Sequence, residues 1–142
     1  MTLILDAGPL VELADPIYGD RARLRRLLVA ERGDVVLPAP VSAEVDYLIG
    51  ERLGRRARHQ FLVELADRRF EVACLEAADY ALVRQYDEIY PDFDLGLADL
   101  SVFVLAYRFQ THRIMTFDER HFRALRPIDG GSFTILPADE AA

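Results

Sequence analysis

Apolar residues along this chain follow two rhythms. Short unbroken runs suit strands buried on both faces, and longer stripes repeating every three to four residues suit amphipathic helices. Leu3 to Leu5 is the first run, and it ends at once on Asp6. Gly8-Pro9 then opens a brief helix through about Ala14, with Pro near its first turn. Asp20 is placed to cap a second helix that carries Leu24, Leu27 and Leu28 and ends before Gly33. Val35-Val36-Leu37 reads as a second strand, closed by Pro38 and Pro40. Ser42 is the expected N-cap of a helix with Val45, Leu48, Ile49 and Leu53 on one stripe, which puts Glu44 in its first turn. A turn at Gly54 leads to an amphipathic segment from about Arg55 to Asp67, and the two helices form a hairpin.

The second half repeats the alternation. Phe70 to Leu75 reads as a third strand and Glu76 to Tyr90 as a helix, broken by Pro91 and a loop containing Asp92, Asp94 and Gly96. Asp99 begins a helix that Leu100, Val102 to Ala106 and Phe109 surround almost completely with apolar groups, as a central element packed on both sides requires. Ile114 to Phe117 is a fourth strand running into Asp118. A short Glu119 to Leu125 helix, a Gly130-Gly131 turn and a Phe133 to Leu136 strand follow. Strands alternating with helices predict an α/β fold with a mostly parallel central sheet flanked by helices, in one domain spanning 1–142.

Composition narrows the class. At 142 residues and 51% apolar, with eight Phe and six Tyr, the chain can bury an ordinary core. No apolar stretch approaches the roughly 18 residues of a spanning helix, and the N-terminal run is too short for a signal peptide or anchor. The single Cys74 cannot form an internal disulfide. It is expected as a small core residue of a protein from the reducing cytoplasm.

Four acidic residues, Asp6, Glu44, Asp99 and Asp118, stand where an apolar run ends or a helix begins. In an open α/β sheet such positions converge in the crevice beyond the carboxyl ends of the strands. Carboxylates brought together repel one another unless a cation compensates, and hard oxygen ligands suit Mg²⁺ or Mn²⁺. Taken singly, Asp6 and Asp118 are equally suited to capping helices, and Glu44 and Asp99 to complementing helix dipoles. Net charge is −7, and without the four acids 20 acidic residues face 17 basic ones, a balance of −3. All 17 basic residues are Arg, clustered at Arg21, Arg23, Arg25, Arg26 and Arg32 and again at Arg52, Arg55, Arg56 and Arg58. These are phosphate contacts if they flank the acids and solvated helix faces if they do not.

Leu3-Ile4-Leu5-Asp6, Ser42-Ala43-Glu44, Ala98-Asp99 and Thr116-Phe117-Asp118, in that order and spacing, resemble the acidic quartet of PIN-domain ribonucleases, above all the VapC toxins of toxin-antitoxin operons. The segment Thr116 to Phe122 resembles a common C-terminal signature of that group. The resemblance implies a Mg²⁺-dependent endoribonuclease that cuts structured RNA, tRNA or a ribosomal RNA loop, and stops translation. Asp6 and Asp99 would be the principal metal ligands, with Glu44 and Asp118 completing the catalytic site and Thr116 supporting it. It also implies homodimerisation and a VapB antitoxin. The Tyr47-Leu48-Ile49 helix and the Asp20 to Arg32 helix are the expected clamp for that partner. Many relatives carry Thr or Ser after the first Asp, whereas Ala7-Gly8 here leaves open which hydroxyl supports Asp6.

Other chemistries fit less well. His59, His112 and His121 lack metal-ligand spacing and are expected in surface or satisfied core roles. Asp6-Ala7-Gly8 lacks the second Asp of a haloacid-dehalogenase-type phosphatase, and a chain without Lys does not suit a receiver domain. Asp92 and Asp94 are expected to cap and solvate their loop, and Asp46 to point away from Glu44. Two alternatives stay open: another PIN-type nuclease acting on structured DNA or in RNA processing, and a non-catalytic binding module.

Overall fold

The computed structural model describes residues 1–140. Its strands are β1 (Leu3–Leu5), β2 (Val35–Pro38), β3 (Glu71–Ala73), β4 (Arg113–Met115) and β5 (Thr134–Leu136). Its helices are α1 (Ala7–Ala14), α2 (Arg21–Ala30), α3 (Ala39–Leu53), α4 (Arg55–Ala66), α5 (Ala77–Ile89), α6 (Leu97–Arg108) and α7 (Glu119–Ala124), with a 3-10 turn at Pro91–Phe93 before α6.

The five strands form one sheet in the order β3-β2-β1-β4-β5, and every pairing is parallel. The chain walks outward from β1 to β3, then returns to the other side of β1 to lay down β4 and β5. The topological switch point therefore falls between β1 and β4, whose Leu5 and Met115 are in register. Leu3 to Leu5, Val36, Leu37, Ile114 and Met115 are all fully buried, as a parallel sheet covered on both faces demands.

Helix α6 buries every residue from Leu100 to Ala106 and packs on β1, β2 and β4 and against α3 and α5. Helices α3 and α4 pack as the hairpin expected from the Gly54 turn, whose φ of 90° suits glycine.

Several boundaries differ from the sequence reading. Helix α3 begins at Ala39, three residues before the expected cap, because Pro40 sits in the first turn, where its missing N–H costs nothing. Ser42 is thus inside the helix, donating its hydroxyl to Ala39 O at 2.7 Å, and Glu44 moves to the second turn. Asp20 occupies the N-cap position of α2 but makes no side-chain cap. Helix α6 starts two residues before Asp99, which is its third residue. Cys74 lies just past the edge strand β3 and is exposed, because an edge strand this short leaves its end uncovered.

Candidate active site

Asp6 follows β1 directly, and its backbone N–H continues the sheet by donating to Met115 O at 2.9 Å. One side-chain oxygen accepts from Ala7 N–H at 2.8 Å, capping α1. The other accepts the Thr116 hydroxyl at 2.6 Å. Thr116, two residues before Asp118, is 1% exposed, and its Oγ1 also accepts the Asp118 N–H at 2.9 Å. One hydroxyl therefore ties together the two strand ends that border the switch point. It supplies from the end of the neighbouring strand β4 what Ala7-Gly8 does not supply locally.

Asp118 caps α7 by accepting His121 N–H at 3.0 Å, and its second oxygen pairs with His121 Nδ1 at 2.7 Å. His121 thus belongs to the acid cluster, where the sequence reading gave it a surface or satisfied core role. The signal was available in the spacing, since a residue three after an N-cap Asp in a helix folds back over it. Asp99 projects from the first turn of α6, where Gly96 N–H donates to it at 3.3 Å. Glu44 stands at the open rim on α3.

The electrostatics join all four. Burial raises the Asp6 carboxyl above the ordinary carboxylate range, against the lowering effect of its two hydrogen bonds, and Asp118 raises it further. Desolvation and then the charges of Asp6 and Asp99 raise Glu44. Asp99 is raised by burial and by Asp6 and Asp118, with the Gly96 N–H and His121 acting against the shift. Asp6 therefore acts on Glu44 and Asp99, and Asp118 acts on Asp6 and Asp99. Among the described residues no three His, Cys, Asp or Glu side chains are grouped so as to hold a metal ion as they stand. Asp6, Glu44 and Asp99 are close enough for mutual repulsion to raise their carboxyl groups. An all-oxygen donor set with raised carboxyl pKa values is one that a hard divalent cation would stabilise, so the residues fit such an ion.

The other candidates lie elsewhere. Asp46 pairs with Arg58 at 3.1 Å, away from Glu44. His112 pairs with Asp129 at 2.8 Å, and His59 is exposed. Asp94 terminates the 3-10 turn in the left-handed region. Arg21, Arg25 and Arg26 line grooves along α2 that contain none of the four acids. Arg23 is engaged by Glu140 and Pro137 O.

An all-parallel sheet whose switch point is bordered by strand ends carrying Asp6 and Asp118 defines a doubly wound α/β domain with an acidic crevice. The PIN-domain family model matches residues 3–126. Ribonuclease VapC26 of Mycobacterium tuberculosis (strain ATCC 25618 / H37Rv) is 37% identical over 135 residues, covering 95% of this chain and all of that protein. The chain belongs to the PIN-domain family, within its VapC group.

Three solved structures share the fold. The sarcin-ricin loop cleaving toxin VapC20 of Mycobacterium tuberculosis superposes with a TM-score of 0.72 at 14% identity, over 79% of this chain and 86% of that one. VapBC2 from Rickettsia felis, bound to a DNA fragment from its promoter, gives 0.71 at 14% identity, over 95% and 97%. FitAcB from Neisseria gonorrhoeae gives 0.65 at 21% identity, over 93% and 96%. PIN-domain nucleases generally depend on a divalent metal. No helix among the described residues is long and apolar enough to cross a membrane.

Proposed function

We infer that this chain is the toxin of a VapBC-type pair, a metal-dependent endoribonuclease that cuts structured RNA, tRNA or a ribosomal RNA loop, and so halts translation. The observation that carries the reading is the shared perturbation of Asp6, Glu44 and Asp99, with Asp118 as a further source of charge, at the switch point of the sheet. Full-length likeness to a protein named a ribonuclease supports it. So does fold likeness to a toxin named for cleaving the sarcin-ricin loop.

Asp6, Glu44, Asp99 and Asp118 would hold the ion, with Mg²⁺ the expected metal and Mn²⁺ a competent substitute. A bound divalent ion supplies Lewis acidity that activates a water and offsets the charge of a phosphodiester. The chain's own residues supply order. Thr116 fixes the Asp6 carboxylate and the Asp118 backbone together, so two of the acids keep their spacing whatever occupies the crevice. His121 fixes the Asp118 side chain, leaving one face of each oxygen for a ligand. Glu44 is the most exposed of the four acids.

An antitoxin has a place to bind. A groove of about 630 Å³ runs between α1, α2, α3 and α4, with Leu10, Leu28, Ile49 and Phe61 along it and Arg25 and Arg69 beside them. Apolar lining with basic groups suits an amphipathic helix or extended tail bearing acidic residues. Of the expected Tyr47-Leu48-Ile49 clamp, Ile49 lines this groove and Tyr47 is 62% exposed. Neighbours solved as VapBC2 and FitAcB support a protein partner of this kind. The reading includes one PIN domain over 1–142, a homodimer, and action in the cytoplasm, where the RNA is.

The test is incubation of the antitoxin-free protein with total tRNA and ribosomal RNA in Mg²⁺, in Mn²⁺ and in EDTA, with new 5′ ends mapped. A dominant cut in either metal and none in EDTA is expected. Equal cutting in EDTA, or none in any condition, would contradict the reading.

A further inference from the structure

Phe117 is an aromatic side chain left 41% exposed between two residues of the acidic crevice. Thr116 turns inward to Asp6, and Asp118 is held by His121. The hydroxyl of Thr116 also accepts from the Asp118 N–H and the Thr116 N–H donates to Leu136 O, so the backbone is held on both sides of Phe117. With Thr116 buried and Phe117 exposed, this ring is presented at the edge of the site. Tyr18 braces it, with ring centroids 6.2 Å apart and planes tilted by 42°.

Gly8 makes the underside possible. A Cβ at that position would stand 3.0 Å from Phe117 Cδ2, so a larger residue would require the ring to shift. Gly8 lies in the first turn of α1, and glycine weakens helices. The ring thus packs on Gly8 on one side and on Tyr18 on another, and keeps the rest of its surface open to solvent.

The crevice repels phosphate through its four carboxylates, but the face of a base carries no net charge and stacks on any aromatic ring. Unpaired bases of RNA loops are recognised by such stacking. We propose that Phe117, braced by Tyr18, is the platform on which an unpaired base stacks beside the scissile bond, positioning single-stranded or loop RNA over the acids. The proposal rests on the ribonuclease reading and specifies its substrate as unpaired nucleotides in preference to duplex.

The chain contains no Trp, so Phe117→Trp installs a single fluorescent reporter. Its emission in EDTA is followed with two probes, a short single-stranded oligouridylate and a ribose-phosphate oligomer of the same length lacking bases. In parallel, cleavage of total tRNA and ribosomal RNA in Mg²⁺ is measured for wild type, Phe117→Ala, Phe117→Leu and Phe117→Tyr. Saturable quenching by the oligouridylate alone is expected, with KM raised about tenfold in the Ala and Leu variants and restored in the Tyr variant. Phe117→Leu keeps apolar packing on Gly8, so its KM separates stacking from folding.

If wild type cuts RNA while Phe117→Ala and Phe117→Leu cut with unchanged KM, the platform is overturned and the ribonuclease reading stands. If wild type cuts nothing yet only the base-containing probe quenches, the platform stands as an RNA contact and the ribonuclease reading fails. Equal quenching by both probes overturns stacking. Emission that shifts with protein concentration and ignores the oligouridylate assigns the ring to a contact between copies and overturns the proposal as well.

Discussion

Thr116 donates its hydroxyl to Asp6 Oδ2 at 2.6 Å across 110 positions of sequence, and accepts the Asp118 N–H on the same oxygen. This single side chain sets the separation of two acids that the fold delivers from different strands. Replacing it by Val keeps the shape and removes both bonds. A hydrogen bond to a charged group contributes about 1.5–3 kcal/mol, so Thr116→Val is expected to slow cleavage at least tenfold while Thr116→Ser stays close to wild type. Rates of RNA cleavage by the two variants check this, and equal rates would show that Asp6 is held by other means.

His121 restrains Asp118 through its backbone N–H and its ring. Groups that orient metal ligands typically change affinity by about 10–100-fold when removed. His121→Ala is therefore expected to weaken Mg²⁺ or Mn²⁺ binding by about that factor, and His121→Asn by less. Calorimetric titration of the folded variants measures it, and unchanged affinity would remove His121 from the site.

The acids make the metal-free protein sensitive to pH. Asp6, Glu44 and Asp99 all titrate above their ordinary values in the folded state. Between the unfolded values and the raised folded ones, the native state binds more protons than the unfolded chain, so stability falls as pH rises through that window. Asp139 acts oppositely. Its bonds to Arg123 and the Ile135 N–H lower it to about 2, and the stability it contributes is present above its ordinary value and lost as pH falls toward that figure. In EDTA the melting temperature is therefore expected to be higher near pH 5 than near pH 7.5, with Mg²⁺ stabilising the protein more at the higher pH. A higher metal-free melting temperature near pH 7.5 would contradict the repulsion inferred in the crevice.

A second ionic contact is structural. The Asp79 side chain is 7% exposed, caps α5 through the Glu76 N–H and pairs with Arg108 of α6. Removing the cation strands a buried carboxylate, so Arg108→Ala is expected to destabilise by about 2 kcal/mol. Urea unfolding measures the loss. Cleavage by the protein that remains folded should be unaffected, because Arg108 touches none of the four acids.

Apolar rhythm carried the element order and the parallel sheet, because strands buried on both faces and a helix buried all round leave unbroken runs such as Leu3–Leu5 and Val102–Ala106. The convergence of Asp6 and Asp118 was legible for the same reason, since each directly follows a run or its last polar step. What stayed hidden depends on partners distant in sequence. Neither the Thr116 bond to Asp6 nor the Tyr18 contact with Phe117 has a periodic signature. The start of α3 was misplaced because Ser42 is a strong local cap signal, while Pro40, tolerated in a first turn, allowed the helix to begin earlier. Cys74 was assigned to the core on residue type, whereas its exposure follows from β3 being the edge strand.

On this reading Asp6, Glu44, Asp99 and Asp118 form one metal-dependent ribonuclease site. Cleavage of total tRNA and ribosomal RNA in Mg²⁺ by wild type, Asp6→Asn and Asp99→Asn, each shown by circular dichroism to be folded, tests it most directly. Wild type should produce one dominant cut, reduced at least about a hundredfold in both variants. Folded variants that cut at the wild-type rate would contradict the account.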